Sequence, residues 1–192
     1  MEWTDSAAAE EARKGDQRAF RVLVERHSRS IFRLAFRMTG NEQDAEDMVQ
    51  ETFLRAWKQM HRYDGRAAFS TWIYRIASNC SLDLIRARKV HGEQQPISGD
   101  GDQPGTFDHI AAGDASPERL MQSGQIARML GSALEELSET ERTAFLLRHY
   151  EGCGTEEIAR VLGVQTNAAK QSVFRAVQKL RRALEPVWEM PR

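Results

Sequence analysis

From Asp16 onward the apolar residues recur at three- and four-residue steps, and no segment keeps the two-residue alternation of a strand. Side chains at that spacing share one stripe of a helix, so the fold class expected is all-α. The first stripe comprises Phe20, Leu23, Val24, Ile31, Leu34, Ala35 and Met38. Gly40-Asn41 ends it, and a second follows at Ala45, Met48, Val49, Thr52, Phe53, Ala56, Trp57 and Met60. After the turn-like HRYDGRAA, a third runs through Phe69, Trp72, Ile73, Ile76, Ala77, Cys80 and Leu84, leaving Arg75, Asn79, Asp83 and Arg86 on other faces. Three helices of this length can enclose a core, which makes the N-terminal half a helical bundle.

Between Val90 and Pro117 the periodicity stops, and the stretch HGEQQPISGDGDQPGTFDHIAAGDASP is rich in Gly, Pro, Asp, Gln and Ser. Ordering so polar a segment would cost conformational entropy with little apolar burial in return. Two small helical domains, residues 1–90 and 123–192, are therefore expected, joined by a flexible linker at 91–122. Helical spacing resumes at Ile126, Met129, Leu130, Ala133, Leu134 and Leu137, after which Ser138 and Glu141 read as a capping box. Gly152 closes that helix, and Thr155 reads as the N-cap of the next, with Glu156 and Glu157 as acids in its first turn.

The C-terminal domain carries the most specific local pattern, TEEIARVLGVQTNAAKQSVFRAVQKLRR from Thr155 to Arg182. It reads as a helix-turn-helix. Ala159 is small enough for a close crossing, Gly163 can take the positive φ of the turn, and Ile158, Leu162, Val173 and Val177 can fill the wedge. With Thr166 as its cap, the second helix would present Asn167, Lys170, Gln171, Phe174, Arg175 and Lys179 toward DNA. Lys170 and Arg175 suit phosphate or guanine, Gln171 suits adenine, and Phe174 can cover a thymine methyl.

The rest of the composition excludes other classes. The 192 residues are 41% hydrophobic and 29% charged, and no apolar run approaches the roughly 20 residues of a membrane helix. No membrane insertion is expected, and the start MEWTDSAAAEEARKGD lacks a signal-like apolar core, so the expected location is cytoplasmic. Cys80 and Cys153 stand apart without metal spacing and read as buried thiols. His27, His61, His91, His109 and His149 are scattered, and neither a nucleophile elbow nor a phosphate-cradling glycine loop occurs. The expectation is no metal, no cofactor and no catalytic residue, hence not an enzyme, with His27 packed on an apolar stripe. The net charge of −1 conceals opposed patches, acidic at Glu42, Asp44, Glu46, Asp47 and Glu51, basic at Lys170, Arg175, Lys179, Arg181 and Arg182. Two macromolecular partners of opposite charge follow from that division.

EEIARVLGV, followed by a basic helix containing FRAVQKLRRAL, resembles the C-terminal DNA-binding domain of the extracytoplasmic-function (ECF) group of RNA polymerase sigma factors, within the sigma-70 family. The N-terminal domain is similar to the same group through DAEDMVQETFLRAWKQM, residues 44–60, and FSTWIYRIASNCSLDLIRARK, residues 69–89. Two separate motifs in the expected order are far more specific than one helix-turn-helix. The resemblance implies a factor that binds core RNA polymerase and directs promoter-specific initiation. The N-terminal domain would be region 2, for polymerase binding and minus-10 recognition and melting, and the C-terminal domain region 4, for minus-35 recognition.

Residue by residue, the resemblance implies that Asp47, Gln50, Glu51 and Leu54 dock on the clamp helices of the large polymerase subunit. The loop Tyr63, Asp64, Gly65, Arg66 and Ala67 would hold a flipped minus-10 base, with Asn79 and Asp83 on its neighbours and Arg86, Arg88 and Lys89 on the DNA backbone. The linker would thread toward the active-site channel, and an anti-sigma protein would bury both DNA-binding faces. The sequence departs from the usual pattern at Ala169 and Ser172, where the family has a β-branched residue and an arginine, and at Asp83, where asparagine is common. The other reading of the C-terminal motif is a stand-alone helix-turn-helix repressor or activator on duplex operator DNA. That reading leaves the acidic helix and the Trp/Arg segment unexplained.

Overall fold

A computed structural model of the chain describes residues 3–91, 129, 131–134 and 136–185. Among these residues every regular element is helical, as the spacing predicts. Helix α1 spans Asp5–Arg13, α2 Gln17–Thr39, α3 Glu42–Gln59 and α4 Phe69–His91, with a 3-10 turn at Met60–Arg62. Residues 131–134 are helical, and α5 (Glu139–His149), α6 (Thr155–Leu162) and α7 (Thr166–Ala183) follow. Ile126, Leu130 and the linker fall outside the described residues.

The helix boundaries follow from local chemistry. Asp16 caps α2 by accepting from the amides of Arg18 and Ala19, and Gly40 stops it in the left-handed conformation at φ 73°. Asn41 accepts from the Asp44 amide at 3.0 Å to open α3. Ser138 and Glu141 form the expected reciprocal box on α5, at 3.2 and 3.0 Å. Two cap assignments are corrected. Helix α6 starts after Gly154, whose N–H donates to the Glu157 carboxylate at 2.7 Å, and α7 starts after Gln165, which makes no side-chain cap bond. Thr155 and Thr166 are thus the first helical residues, and at α6 the Glu157 carboxylate satisfies the amide that a side-chain cap would leave free. Helix α1 lies in a stretch where only alanines carry the apolar stripe. Ala8, Ala9 and Ala12 are 0–2% exposed there.

Helices α1 to α4 pack into a bundle, and α5 to α7 pack on one another. Leu23, Ile31, Leu34, Met38 and Ile73 are fully buried in the first group, and Leu146, Leu147 and Ile158 in the second. Truncating any of the leucines or isoleucines to alanine removes about 2–5 kcal/mol. The halves that the sequence divides by a linker share a single apolar cluster, because α4 packs against α6 and α2 against α5.

Polar side chains border that contact. The Glu151 side chain, 2% exposed, accepts from Tyr74 Oη at 2.9 Å and Arg33 Nη2 at 3.3 Å. The Arg37 guanidinium lies 4.0 Å from the centre of the Tyr150 ring, while Arg142 Nη2 donates to the Arg37 carbonyl at 2.8 Å. Thr71 Oγ1 donates to Glu157 at 3.3 Å. At the edge, Arg86 of α4 grips Glu139 of α5 at 2.6 Å.

Candidate nucleic-acid and polymerase interfaces

The turn between α6 and α7 is set by Gly163 at φ 66°, and Ala159 is 6% exposed where the two helices cross. Ala169 is fully buried on the inner face of α7, so the small residue at this departure from the family pattern lets α7 lie close to its neighbours. On the opposite face Asn167, Lys170, Gln171 and Arg175 are exposed, and Phe174 is 58% exposed. An uncovered phenyl ring flanked by two cations suits a groove that offers both phosphates and base faces. Lys179, one turn further along, is drawn back to Glu141 at 2.7 Å. Its partner holds it toward α5, away from the free end of the recognition surface.

In the N-terminal half, Ala45 and Phe53 face the core, while Asp47 and Gln50 are exposed, Leu54 is 49% exposed and Glu51 is half-buried. One apolar residue among acids makes a face whose charge suits a basic partner. Glu51 accepts from Arg55 Nε at 2.5 Å, and Arg55 reaches Asp83 of α4 at 3.3 Å. Hydrogen bonding to Glu51 leads the causes that raise the Arg55 pKa above its ordinary value.

The loop before α4 is preformed. Gly65 takes φ 73°, the Arg66 amide donates to the Asp64 carboxylate at 3.0 Å, and Asp64, Gly65 and Arg66 are exposed. Tyr63 differs from the pocket-lining position expected of it. It is 8% exposed, donates its hydroxyl to the Ala67 carbonyl at 2.7 Å, and meets Phe69 edge-on and Trp72 at a tilt, with ring centres 5.9 and 5.3 Å away. Burial, first among the causes, raises its pKa.

Along α4, Asn79, Asp83 and Arg86 share an exposed line, and Arg75 extends it one turn toward the loop. The spacing of Arg75, four residues before Asn79, already places it on this face in the sequence, which assigns it no role. Asp83 sits between Arg55 and Arg86, at 3.3 and 3.9 Å, so its charge is largely offset and repels phosphate less than a lone carboxylate would. Lys89 is exposed. Arg88 instead forms a two-pronged pair with Asp44, at 2.5 and 2.6 Å, tying the end of α4 to the start of α3. This pair removes Asp44 from the acidic face.

Two helical halves, one ending in the exposed basic helix of a helix-turn-helix and the other bearing an acidic face beside an aromatic loop, have the make-up of a two-part DNA-binding factor. Residues 23–90 match the family description Sigma-70 region 2, and residues 126–180 match Sigma-70, region 4. The chain belongs to the ECF group of sigma-70 family RNA polymerase sigma factors. It is 32% identical over 183 residues to the RNA polymerase sigma-H factor of Pseudomonas aeruginosa, with 95% of each chain covered. It is 30% identical to the ECF sigma factor SigW of Bacillus subtilis, covering 96% of this chain and 98% of that one. Among solved structures it is similar to CnrH in complex with the cytosolic domain of CnrY, at a TM-score of 0.68 and 27% identity, covering 95% of this chain and 97% of that one.

Proposed function

We propose that this protein binds core RNA polymerase and directs it to promoters, α7 docking on the minus-35 element and the α3–α4 half recognising and melting the minus-10 element. The observation that carries this reading is that both faces stand uncovered in one chain, the basic face of α7 and the acidic face of α3. In this reading Asn167, Lys170, Gln171, Phe174 and Arg175 meet the minus-35 duplex, with Lys179 joining once it leaves Glu141. Asp47, Gln50, Glu51 and Leu54 meet the clamp helices of the large subunit. Asp64, Gly65 and Arg66 take a flipped base, Asn79 and Asp83 read beside it, and Arg75, Arg86 and Lys89 hold the backbone. The protein adds no catalysis of its own, and it works in the cytoplasm, where the polymerase is. Among the described residues no helix is long and apolar enough to cross a membrane.

Simultaneous engagement requires the halves to separate. Elements centred about 35 and 10 base pairs upstream lie roughly 85 Å apart along the duplex at about 3.4 Å per step. A body of 192 residues has a radius of gyration of about 16 Å. Residues 92–128 have the contour length for the larger span, roughly 120 Å when fully extended. The structure therefore corresponds to the protein before it meets promoter and polymerase together. An anti-sigma protein that covers the DNA-binding faces is the regulatory partner this reading adds, supported by the likeness to CnrH, which was solved with CnrY bound.

Run-off transcription with purified core enzyme on genomic fragments tests the assignment. Discrete start sites that depend on this protein are expected. Failure to initiate on any fragment, or tight palindrome binding by the free protein, would instead favour a stand-alone repressor.

A further inference from the structure

Helix α1 lies outside both segments that match the family descriptions. It nevertheless packs on α2, on α4 and on the 3-10 turn that leads into the loop. Its buried alanines let it approach α2 closely, and Asp5 fixes its start. The Asp5 carboxylate accepts from Arg26 Nη1 at 2.8 Å and pairs with His27 Nε2 at 2.7 Å. Burial opposes its ionisation, but the hydrogen bonds and charges of Arg26 and His27 outweigh that and hold its pKa below the usual value.

The His27 side chain is 12% exposed, so it is in no position to grip DNA itself. Its ring lies 5.3 Å from that of Phe69, the first residue of α4. Phe69 lies 5.9 Å from Tyr63 and 5.7 Å from Trp72, and Tyr63 holds the Ala67 carbonyl. An unbroken chain of contacts thus runs from α1 through His27, Phe69 and Tyr63 to the far end of the loop. Ring pairs at such separations have preferred orientations, so these contacts link the setting of the His27 ring to that of Tyr63.

We propose that Asp5 and His27 are positioning residues for the minus-10 loop, bracing the aromatic group that preforms Asp64, Gly65 and Arg66 to take a flipped base. The inference rests on the loop reading above and adds a function for α1 to it. It demands selectivity: loosening the brace impairs capture of one base, whereas polymerase docking through α3 and duplex binding through α7 proceed as before.

The test uses holoenzyme assembled from core polymerase and the full chain. Binding to non-template strands carrying one abasic site at each minus-10 position is followed by fluorescence anisotropy. The unaltered protein should lose affinity at the base taken by the loop and at the neighbouring base read from α4. In Asp5→Asn and His27→Gln the loss at the loop base should shrink about three- to tenfold, with the loss at the neighbouring base and the affinity for core polymerase retained. Phe69→Leu, which keeps apolar volume and removes the ring, should act like the Asp5 and His27 changes, and Asp5→Glu should restore part of the discrimination. Equal weakening at all positions, or none, would overturn the brace. Arg66→Ala separates the two levels. If it flattens the loop base while Asp5→Asn does not, only the brace falls, and if it changes no position the loop reading falls and takes the brace with it.

Discussion

Arg86, Arg88 and Lys179 already have carboxylate partners in the protein, Glu139, Asp44 and Glu141 respectively. Lys170 and Arg175 stand exposed at the recognition surface. Each cation that neutralises a phosphate releases condensed counterions, so exposed and already paired cations contribute differently to salt dependence. Replacing Lys170 and Arg175 with glutamine should lower the slope of log affinity against log salt by about 2, measured on a duplex minus-35 fragment. An unaltered slope would remove both from the interface. On the acidic side, Glu51→Lys should weaken core-polymerase binding by at least roughly tenfold in a titration, as expected for a reversed charge at a complementary interface. Circular dichroism should remain that of the parent, since the Glu51 side chain is 37% exposed. The residue types and faces of α7 and α3 were readable from the sequence because exposure follows helical spacing. Pairs such as Arg88 with Asp44, 44 residues apart, were not, because no local pattern encodes which distant helix end comes near.

At the scale of elements, α5 depends on its first turn. Ser138 caps it, and Glu141 returns a hydrogen bond to the Ser138 amide while pairing with Lys179 of α7. Ser138→Ala should lower stability in urea unfolding by about 1 kcal/mol. For Glu141, burial opposes the charge, but Lys179 and the Ser138 N–H and hydroxyl overcome it, and the pKa lies below the ordinary value. The folded value is thus below the unfolded one. This contribution is complete above the ordinary glutamate pKa of about 4.3 and fades as pH falls through the folded value. Glu141→Gln should reduce the slope of stability against pH in that acid limb, and an unchanged slope would assign it elsewhere. The long helices were legible because Asp16, Gly40, Asn41 and Ser138 mark their ends in residue type. Helix α1 was not, because a stripe made only of Ala8, Ala9 and Ala12 gives little apolar contrast in sequence. The burial of Tyr63 within its loop was not legible for a related reason: an aromatic in a turn carries no periodicity to say which way it faces.

For the whole molecule, the shared apolar cluster between α4 and α6 and between α2 and α5 fixes how far apart the two recognition faces lie. Sequence alone suggests two helical halves on either side of a polar stretch, yet it offers no sign of this contact. The reason is that α4 and α6 bury stripes that also serve their own halves. Thr71, 3% exposed, donates across the contact to Glu157. Thr71→Glu would set one carboxylate against another there, costing roughly 3–5 kcal/mol if the halves stayed together. The expected outcome is a larger radius of gyration in small-angle scattering with helical content retained. An unchanged radius would show that the closed arrangement tolerates the charge.

In the proposed reading, the closed contact also limits how long the free protein stays on DNA. With the two faces held too close to reach both elements, only one module binds at a time, and its dwell is that of a single site. Tethering adds an effective concentration in the millimolar range, and avidity 10²–10⁴ times that of either site, only when geometry permits simultaneous engagement. Closure withholds that gain, so the unaccompanied protein samples promoters fleetingly and leaves them vacant for the assembled enzyme.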